Sequence, residues 1–332
     1  MLKVLYFTSE TKKKFGIYKV VNILKNTQNK KFKVRFSHKI VDIFFFKPNI
    51  IHIHGCWHPR LILAFILAKL LFKKIVISPH GMIDPFSFSQ KKIKKIIAWY
   101  LYQKHMFTFS NLIIVNSQSE KKNLAKKFKI LNSLIIIQHG VHIPNILTKK
   151  RKTGELKFVF YSRIHPSKNL INLIKIWKQN IFFNLFNLDI YGEIDDNKYF
   201  VKLKDNIQNT KNIAYKGTIK NKLVNKLSNY DIFLHPSNSE NFGLVILEAM
   251  SCGLFPVVNK KLDWKVLDNN NLGCSINFNY TNLKKIIIKL NSSKNKIRNK
   301  SFRKNIMIFL RENYNWNQII LDYYKNYLKI IT

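Results

Sequence analysis

The stretch at residues 231–259 constrains the fold of this chain more than any other. A short apolar run at residues 232–234 is followed by a turn rich in serine, proline and asparagine. Apolar residues then recur at helical spacing over residues 242–250, and a second apolar run lies at residues 257–258. Strand, loop, helix and strand in this order form the repeating unit of a parallel sheet, so the sequence predicts an α/β protein.

Two carboxylates in this stretch indicate its ligand. Glu240 lies just before the predicted helix, and Glu248 lies about two turns further on, at ~3.6 residues per turn. The first-turn amides of Phe242, Gly243 and Leu244 lack partners within the helix, and the helix dipole adds positive potential, so this end attracts phosphate. Carboxylates beside phosphate suit the hydroxyls of a sugar. The pattern favours a nucleotide sugar; the alternative is that Glu240 caps the helix and Glu248 lies on a solvated face.

The segment E-N-F-G-L-V-I-L-E-A-M-S-C-G-L-F-P-V-V, residues 240–258, resembles the E-x7-E signature of the family-4 glycosyltransferases, the glycosyl transferases group 1 type. The resemblance extends upstream through Gly217 and Asp231. It implies the GT-B fold, in which two Rossmann-like α/β domains face each other across a cleft. It also implies a retaining, metal-independent hexosyltransferase that uses a nucleotide-diphosphate sugar. By analogy, the acceptor belongs to cell-surface polysaccharide synthesis, such as lipopolysaccharide, or to a lipid-linked glycan.

Further donor ligands are predicted in the second half of the chain. Residues 157–163 read as a strand that ends at Arg163, and Lys168 follows in an R-x4-K-N pattern that resembles the family's diphosphate clamp. Fixed cations stabilise the charge that a departing nucleoside diphosphate gains. The resemblance places Glu240 on the donor sugar and Glu248 on the ribose, with no cofactor besides a UDP- or GDP-linked donor. The other predicted donor-binding residues are Gly217, Thr218 and Ile219 beside the nucleobase, and Asn241, Phe242, Gly243 and Leu244.

The first half of the chain contains a catalytic candidate and three acceptor-side candidates. His80 follows a predicted strand at residues 75–78, in a Pro-His-Gly loop where the family's histidine faces the transferred sugar; a structural histidine is the alternative. Gly16 stands alone where the family has a glycine pair, and residues 9–16 are otherwise a basic loop. Ser117 and Glu120 resemble an acceptor-side turn, although a helix capping box explains them equally well.

Two groups of residues permit metal hypotheses, and neither is favoured. His52, His54 and Cys56 alternate along the end of a predicted strand, with His58 two residues further on, but no carboxylate or further cysteine lies nearby to complete a site; a histidine cluster that faces the acceptor or is satisfied within the fold is the alternative. Glu193 and Asp195 form an acidic E-x-D pattern after another strand, where a turn and a helix cap are the alternative. We therefore predict no metal site.

The charge of the chain points to an anionic partner. The formal net charge is +41 over 332 residues, and lysine, asparagine and isoleucine are abundant together, as an AT-rich coding sequence would produce. Such a field attracts nucleotides, membranes or nucleic acid, and an anionic bilayer is favoured. Residues 87–107 read as a lysine-rich amphipathic helix with Trp99 near its boundary. This helix packs on the sheet, lies against anionic lipid, or does both.

Three scattered cysteines imply no disulfide framework and favour a reducing compartment. The first residues enter a strand pattern at once, and the longest apolar run, residues 61–72, is shorter than the roughly 20 residues that span a bilayer. The sequence therefore predicts a cytoplasmic protein, at the inner face of the cell membrane.

Residues 148–155 are polar and without hydrophobic period, and are the predicted linker. The expected domains are an acceptor-side domain at 1–147 and a nucleotide-sugar-binding domain at 155–315, with a helix at about 316–332 that, by resemblance, crosses back onto the first domain. Two rival functions remain. One is a basic nucleic-acid-binding protein, supported by charge and by Trp99, Tyr100 and Tyr102, but no nucleic-acid motif is present. The other is a catalytically inactive family member, because the loop before Gly16 departs from the family pattern.

Overall fold

The computed structural model describes residues 1–9, 16–26, 32–130, 133–144, 153–179, 181–219 and 223–331. The chain forms two compact units, Met1–Gly140 with Trp316–Thr332, and Val141–Asn315. The division falls before the expected domain end at residue 147, because the amide of Val141 donates to the carbonyl of Tyr314, 3.0 Å away, within the second unit. The predicted linker lies mostly outside the described residues.

The first unit is built on a parallel sheet of six strands in the order β2-β1-β3-β4-β5-β6. The strands are β1 Leu2–Thr8, β2 Phe32–Ser37, β3 Ile50–His54, β4 Lys74–Ser78, β5 Leu112–Val115 and β6 Leu134–Ile136. The helices are α1 Gly16–Asn26, α2 Val41–Phe46, α3 Pro59–Leu70, α4 Pro85–Ser89, α5 Lys92–Ala98, α6 Lys104–Thr108 and α7 Gln118–Lys122, with π-helical segments at Trp99–Gln103 and Asn123–Lys127.

The second unit is built on another parallel sheet, in the order β12-β11-β10-β7-β8-β9. Its strands are β7 Lys157–Tyr161, β8 Asn187–Tyr191, β9 Ile213–Tyr215, β10 Ile232–His235, β11 Phe255–Asn259 and β12 Cys274–Ile276. Its helices are α8 Leu170–Lys178, α9 Asn197–Ile207, α10 Leu223–Leu227, α11 Leu244–Ser251, α12 Val266–Asn269, α13 Tyr280–Ser292, α14 Lys294–Arg298 and α15 Lys300–Asn313, with 3₁₀ turns at Pro166–Lys168 and Ile181–Leu185. The remaining helix, α16 Trp316–Lys329, belongs to the first unit.

The α/β fold class predicted from the sequence is confirmed, but the two units differ in strand order. The second unit has the doubly wound order of dinucleotide-binding domains, whereas in the first unit the order corresponds to 2-1-3-4-5-6. In both, the order reverses beside the first strand, so the loops after β1 and β3, and those after β7 and β10, flank the crevices where open α/β sheets bind ligands.

Both sheets are buried in apolar cores, and a buried ion pair lies at the start of β10 in the second sheet. Every residue of β3, β10 and β11 is buried, as helices on both faces of a parallel sheet require. The guanidinium of Arg298 makes two bonds to the carboxylate of Asp231, at 3.0 and 2.9 Å, and two more to the carbonyls of Gly154 and Glu155. Asp231 therefore has a structural role at the start of β10.

The lysine-rich helix predicted at residues 87–107 is four short segments, and its apolar residues do not all face the sheet. Trp99 is buried in the core, whereas Ile93, Ile97, Tyr100 and Leu101 are 54–75 % exposed. The reading in which the apolar side packs on the sheet is therefore wrong for these residues. No helix in the described part of the chain combines the length and the apolarity that a membrane crossing needs.

Candidate functional site

The loops after β7 and β10 of the second unit are joined by hydrogen bonds. The amide of Asn238 donates to the carbonyl of Ser167 at 3.0 Å, and the Ser237 hydroxyl donates to the same carbonyl at 3.1 Å. The side-chain amide of Asn169 donates to the carbonyl of Pro236 at 3.3 Å. Because β7 and β10 are neighbours at the reversal of strand order, these bonds fix two loops at the ligand-binding edge of the sheet.

Lys168 and Glu240, predicted from separate motifs, meet on these two loops. Lys168 Nζ lies 2.5 Å from Glu240 Oε1, and both side chains are largely buried, at 8 % and 13 % exposed. The same oxygen lies 2.8 Å from Nε2 of His235, the last residue of β10. Among the described residues Oε2 of Glu240 has no hydrogen-bond partner. The carboxylate is thus anchored through one oxygen and can accept bonds through the other.

The electrostatics of this cluster keep Glu240 ionised. Burial by itself raises the pKa of a carboxyl, but the Lys168 ammonium and the hydrogen bond from His235 outweigh it and hold the pKa of Glu240 well below its usual range. A buried ammonium and a carboxylate that face each other at the reversal of strand order can exchange partners with a ligand that is both charged and rich in hydroxyls.

Arg163 also has an acidic partner, and this partner bears on one of the metal hypotheses. Its guanidinium makes an ion pair with Asp195, in which the two side chains are 51 % and 29 % exposed. Among the described residues no group of three histidines, cysteines or acids is placed to hold a metal ion. In this structure Asp195 is the counter-ion of Arg163.

The amide-rich helix end lies slightly later than predicted. Helix α11 begins at Leu244, and Gly243 precedes it with a positive φ of 84°, a conformation that only glycine adopts readily. Phe242 is buried, and its carbonyl accepts a bond from the Trp264 indole at 3.1 Å. Phe242 and Gly243 therefore form the turn into the helix, and the first helical amides are those of Leu244 and Val245.

Glu248, the second acid of the signature, is buried on α11 beside Tyr161, the last residue of β7. Burial, together with the Glu248 carboxylate, raises the pKa of the Tyr161 hydroxyl, so the phenol stays protonated and interacts with that carboxylate. The sequence analysis did not predict Tyr161, because an aromatic residue at the end of a strand has no distinctive pattern. Asn241 lies one residue after Glu240, in the turn that leads to α11.

The predicted nucleobase residues lie at the end of β9, against the end of β8. The amide of Gly192 donates to the carbonyl of Gly217 at 3.0 Å, and the Thr218 hydroxyl donates to the carbonyl of Gly192 at 3.3 Å. A Cβ on Gly192 would lie only 1.8 Å from the carbonyl oxygen of Ser162, so β7 and β8 end in a close approach that requires glycine. Ile219 packs against the core cluster that contains Phe242 and Trp264.

In the first unit His80 is held in a network of neutral histidines. Its Nε2 lies 2.8 Å from Nδ1 of His54, and the two rings stack. Burial lowers the pKa of His80 to about 4, although an interaction with Asn116 opposes this shift. His80 itself has a positive φ of 51° and is followed by Gly81 with a φ of 76°. The imidazole is neutral at physiological pH, and at least one of its nitrogens is already bonded within the unit.

Glu120 is completely buried, and it ties the His80 loop to the end of β5. Its two carboxylate oxygens accept bonds from the amides of Gly81, at 2.6 Å, and Asn116, at 3.0 Å. Ser117 caps α7 by accepting a bond from the amide of Glu120 at 3.1 Å, as the capping explanation predicted. An acceptor-side role for these two residues stays a prediction, and for Glu120 it would act through the His80 loop. Gly16 starts α1, and most of the loop before it lies outside the described residues.

Of the residues weighed above as metal ligands, His52 makes two hydrogen bonds within the first unit. His52 lies 2.6 Å from the hydroxyl of Tyr327 through Nδ1 and 2.9 Å from Ser78 Oγ through Nε2. Cys56 is buried, and burial raises the pKa of its thiol well above the usual range. The His52–Tyr327 bond ties β3 to α16, a contact that the sequence analysis missed.

The two units and the sites at their strand ends define a GT-B glycosyltransferase. The profile "Glycosyltransferase Family 4" matches residues 3–143, and the profile "Glycosyl transferases group 1" matches residues 142–306. The chain therefore belongs to the family-4, group 1 glycosyltransferases, as the resemblance of residues 240–258 predicted.

Individual relatives agree with this assignment. An uncharacterised glycosyltransferase of Methanocaldococcus jannaschii is 24 % identical over 90 % of this chain and 80 % of its own length. The UDP-Gal:alpha-D-GlcNAc-diphosphoundecaprenol alpha-1,3-galactosyltransferase of Escherichia coli is 25 % identical over 64 % of this chain and 58 % of its own. The crystal structure of Anabaena HepE in complex with UDP superposes with a TM-score of 0.79 at 16 % identity, covering 99 % of this chain and 100 % of that one. The GT-B fold is thereby confirmed.

Proposed function

We propose that this glycosyltransferase moves a hexose from a UDP- or GDP-linked sugar to an acceptor in cell-surface polysaccharide or lipid-linked glycan synthesis. The observation that carries the proposal is the pairing of Lys168 with Glu240 at the strand ends of the second unit. A donor sugar places a diphosphate and hydroxyls next to each other, and this pair offers a cation and an ionised acceptor side by side.

The remaining donor contacts follow from the same edge of the sheet. Arg163, 51 % exposed in its side chain, can turn from Asp195 to the diphosphate, because an exposed ion pair contributes only about 0–1 kcal/mol. Glu248, with Tyr161 beside it, takes the ribose hydroxyls. Gly217, Thr218 and Ile219 take the nucleobase, and the first amides of α11 contribute positive potential to the phosphates.

Retention of anomeric configuration and independence of metal are part of the proposal and are supported by membership of the family. In this mechanism the cations stabilise the charge of the departing nucleoside diphosphate, and Glu240 holds the donor sugar. His80 is neutral and lies in a loop that Glu120 holds in place, and its proposed role is to face the transferred sugar. UDP is the preferred nucleotide, in line with the UDP complex of HepE and the UDP-galactose donor named for the Escherichia coli relative.

A panel of UDP-, GDP- and ADP-sugars in a thermal-shift assay tests the donor class. One nucleotide should raise the melting temperature by several degrees, with or without a metal chelator, and Lys168→Ala should abolish the shift. Lys202→Ala, at an exposed lysine on α9, is the matched control that removes the same charge away from the site. A folded protein that responds to no nucleotide, but is retained by an oligonucleotide in a salt-sensitive way, would favour the nucleic-acid rival.

A second surface, around α5 and the π-helical segment that follows it, supports the proposal of a lipid-linked acceptor. Ile93, Ile97, Tyr100 and Leu101 are exposed there among Lys91, Lys92, Lys94 and Lys104. Apolar side chains that enter the lipid interface and lysines that face anionic headgroups are what a peripheral membrane contact uses. We propose that this surface rests on the inner face of the cell membrane, where lipid-linked acceptors lie.

Vesicle co-sedimentation tests the membrane contact. The wild-type chain should sediment with vesicles that contain anionic lipid and remain in solution with neutral ones. Leu101→Gln should reduce binding several-fold, and Leu185→Gln, an exposed leucine of the second unit, should not. Binding that is independent of the anionic lipid content would contradict the electrostatic part of this proposal.

A further inference from the structure

The imidazole of His235 touches the proposed donor site without facing solvent. His235 ends β10, is fully buried, and stacks on the ring of Phe233 at a centroid distance of 5.4 Å. Its Nε2 lies 2.8 Å from Glu240 Oε1, the oxygen that also binds Lys168. Its Nδ1 is buried and has no hydrogen-bond partner among the described residues.

These contacts determine which nitrogen carries the proton. Burial lowers the pKa of His235, and the Lys168 ammonium acts in the same direction, against the opposing effect of Glu240. A neutral imidazole has a single N–H. A proton on Nε2 allows His235 to donate to the Glu240 carboxylate. A proton on Nδ1 would face no acceptor, and it would leave Nε2 and Glu240 Oε1 as two acceptors in contact with no proton between them. The geometry therefore fixes the Nε2–H tautomer.

Binding of the donor changes the partner of Lys168, which is paired with Glu240 in this structure. A nucleoside diphosphate carries more negative charge than one carboxylate, so its arrival draws the Lys168 ammonium away from Glu240. A largely buried carboxylate without a partner is costly, and its pKa would rise. His235 cannot turn away in the same manner, because it is enclosed at the end of a central strand.

We propose that His235 is a positioning residue: its Nε2–H holds Oε1 of Glu240 while Lys168 moves to the diphosphate, so that Oε2 remains ionised and fixed for the donor sugar. The inference rests on the proposed function, because it requires a nucleotide diphosphate at this site. It adds a role that the E-x7-E pattern does not contain, since His235 lies before the first acid of that pattern.

Two variants that carry the same amide group at different reach test the hydrogen bond of His235. The side-chain amide of His235→Gln reaches the position of Nε2, whereas that of His235→Asn reaches only the position of Nδ1. The measurements are the affinity for UDP by calorimetry and the rate of nucleotide release from the UDP- or GDP-sugar that the wild type binds. We expect His235→Gln to keep kcat within about fivefold, and His235→Asn to lower it by roughly 10- to 100-fold with UDP affinity changed less than about threefold.

The pH profile gives a readout that a packing role would not change. The titratable groups that face Glu240 are Lys168 and His235. In His235→Asn the acid limb of kcat should move upward by about one pH unit, because Glu240 is protonated more easily once Lys168 has left it. In His235→Gln it should stay with the wild type. Equal kcat and equal acid limbs in the two variants would overturn the role of His235.

A spectroscopic measurement is independent of turnover. In protein labelled with ¹⁵N-histidine, the signals of His235 are assigned by their loss in His235→Gln. A neutral Nε2–H signal that persists on saturation with UDP supports the inference; a charged ring, an Nδ1–H signal or loss of the Nε2–H signal overturns it.

If Lys168→Ala and Glu240→Gln leave binding of UDP and of every nucleotide sugar unchanged, the proposed function fails and the inference with it. If those variants lose binding or turnover, failure of the His235 tests overturns the inference alone.

Discussion

The two units end their strands in opposite kinds of polar chemistry. At the ends of β7 and β10 the second unit places charged side chains in pairs, Lys168 with Glu240 and, more exposed, Arg163 with Asp195. At the ends of β3 and β4 the first unit places neutral histidines against one another, with His54 2.8 Å from His80. Charged pairs are suited to exchange with a charged ligand, and a neutral cluster to hydroxyl groups. The difference supports the proposal that the strand ends of the second unit, rather than those of the first, bind the nucleotide diphosphate.

The largest expected effect is on Glu240. Glu240→Gln keeps the shape of the side chain but removes the charge that pairs with Lys168, and should lower the rate of donor turnover by roughly 10²–10³-fold, the usual loss for one preorganised electrostatic group. The measurement is nucleotide release under donor saturation, with Asp205→Asn, at an exposed acid on α9, as the control. An unchanged rate in Glu240→Gln would show that the pair of Lys168 and Glu240 has no part in the mechanism. The contrast between charged pairs in the second unit and neutral histidines in the first would then have no functional meaning.

Glu248 should have the next largest effect, on binding. Glu248→Ala should weaken nucleotide-sugar affinity by roughly 1–3 kcal/mol, because a hydrogen bond to a charged group is lost. Tyr161→Phe removes only the hydroxyl beside that carboxylate and should produce a smaller loss. Calorimetric titration measures both, and equal affinity in wild type and Glu248→Ala would contradict the assignment of the ribose.

The neutral state of His80 predicts how stability depends on pH. Its pKa in the folded chain, about 4, lies below the unfolded value of 6.5. The unfolded chain therefore binds more protons between these values, and stability is lost as pH falls below 6.5, by about 2 kcal/mol at pH 5 for this group. Glu120 acts in the opposite direction, because burial raises its pKa to about 8, so its contribution falls as pH rises from 4.5 to 8.

Differential scanning calorimetry of wild type and His80→Gln at pH 7 and pH 5 isolates the histidine. The variant should lose less stability than the wild type on acidification, while the Glu120 contribution is common to both. An equal loss of unfolding free energy in the two proteins would mean that His80 is protonated in the folded chain at pH 5. The histidines of the first unit would then not be a neutral cluster.

The smallest effect is expected at the exposed pair. Asp195→Asn removes the counter-ion of Arg163, and since such a pair contributes about 0–1 kcal/mol, UDP affinity should rise by less than about fivefold. The gain should diminish as salt is added. A loss of affinity would instead show that Asp195 orients Arg163 toward the ligand.

Periodicity and motif spacing predicted the parallel α/β fold, because buried strands and the helices between them have strong patterns. They also selected Lys168 and Glu240, but not the contact between them, which depends on how the loops after β7 and β10 bond across the sheet. His235 was missed because it lies before the first acid of the E-x7-E pattern and, unlike His80, is not in a loop where the family's histidine was expected. The start of α11 was placed two residues early, because apolar spacing does not register the positive φ of Gly243.

The central claim is that the strand ends of the second unit bind the donor. A crystal structure of the chain with UDP tests it most directly. We expect a diphosphate oxygen within about 3 Å of Lys168 Nζ, with Glu240 still bonded to His235. A nucleotide bound at the histidines of the first unit, or one that leaves Lys168 bonded to Glu240 and out of reach of phosphate, would contradict the account.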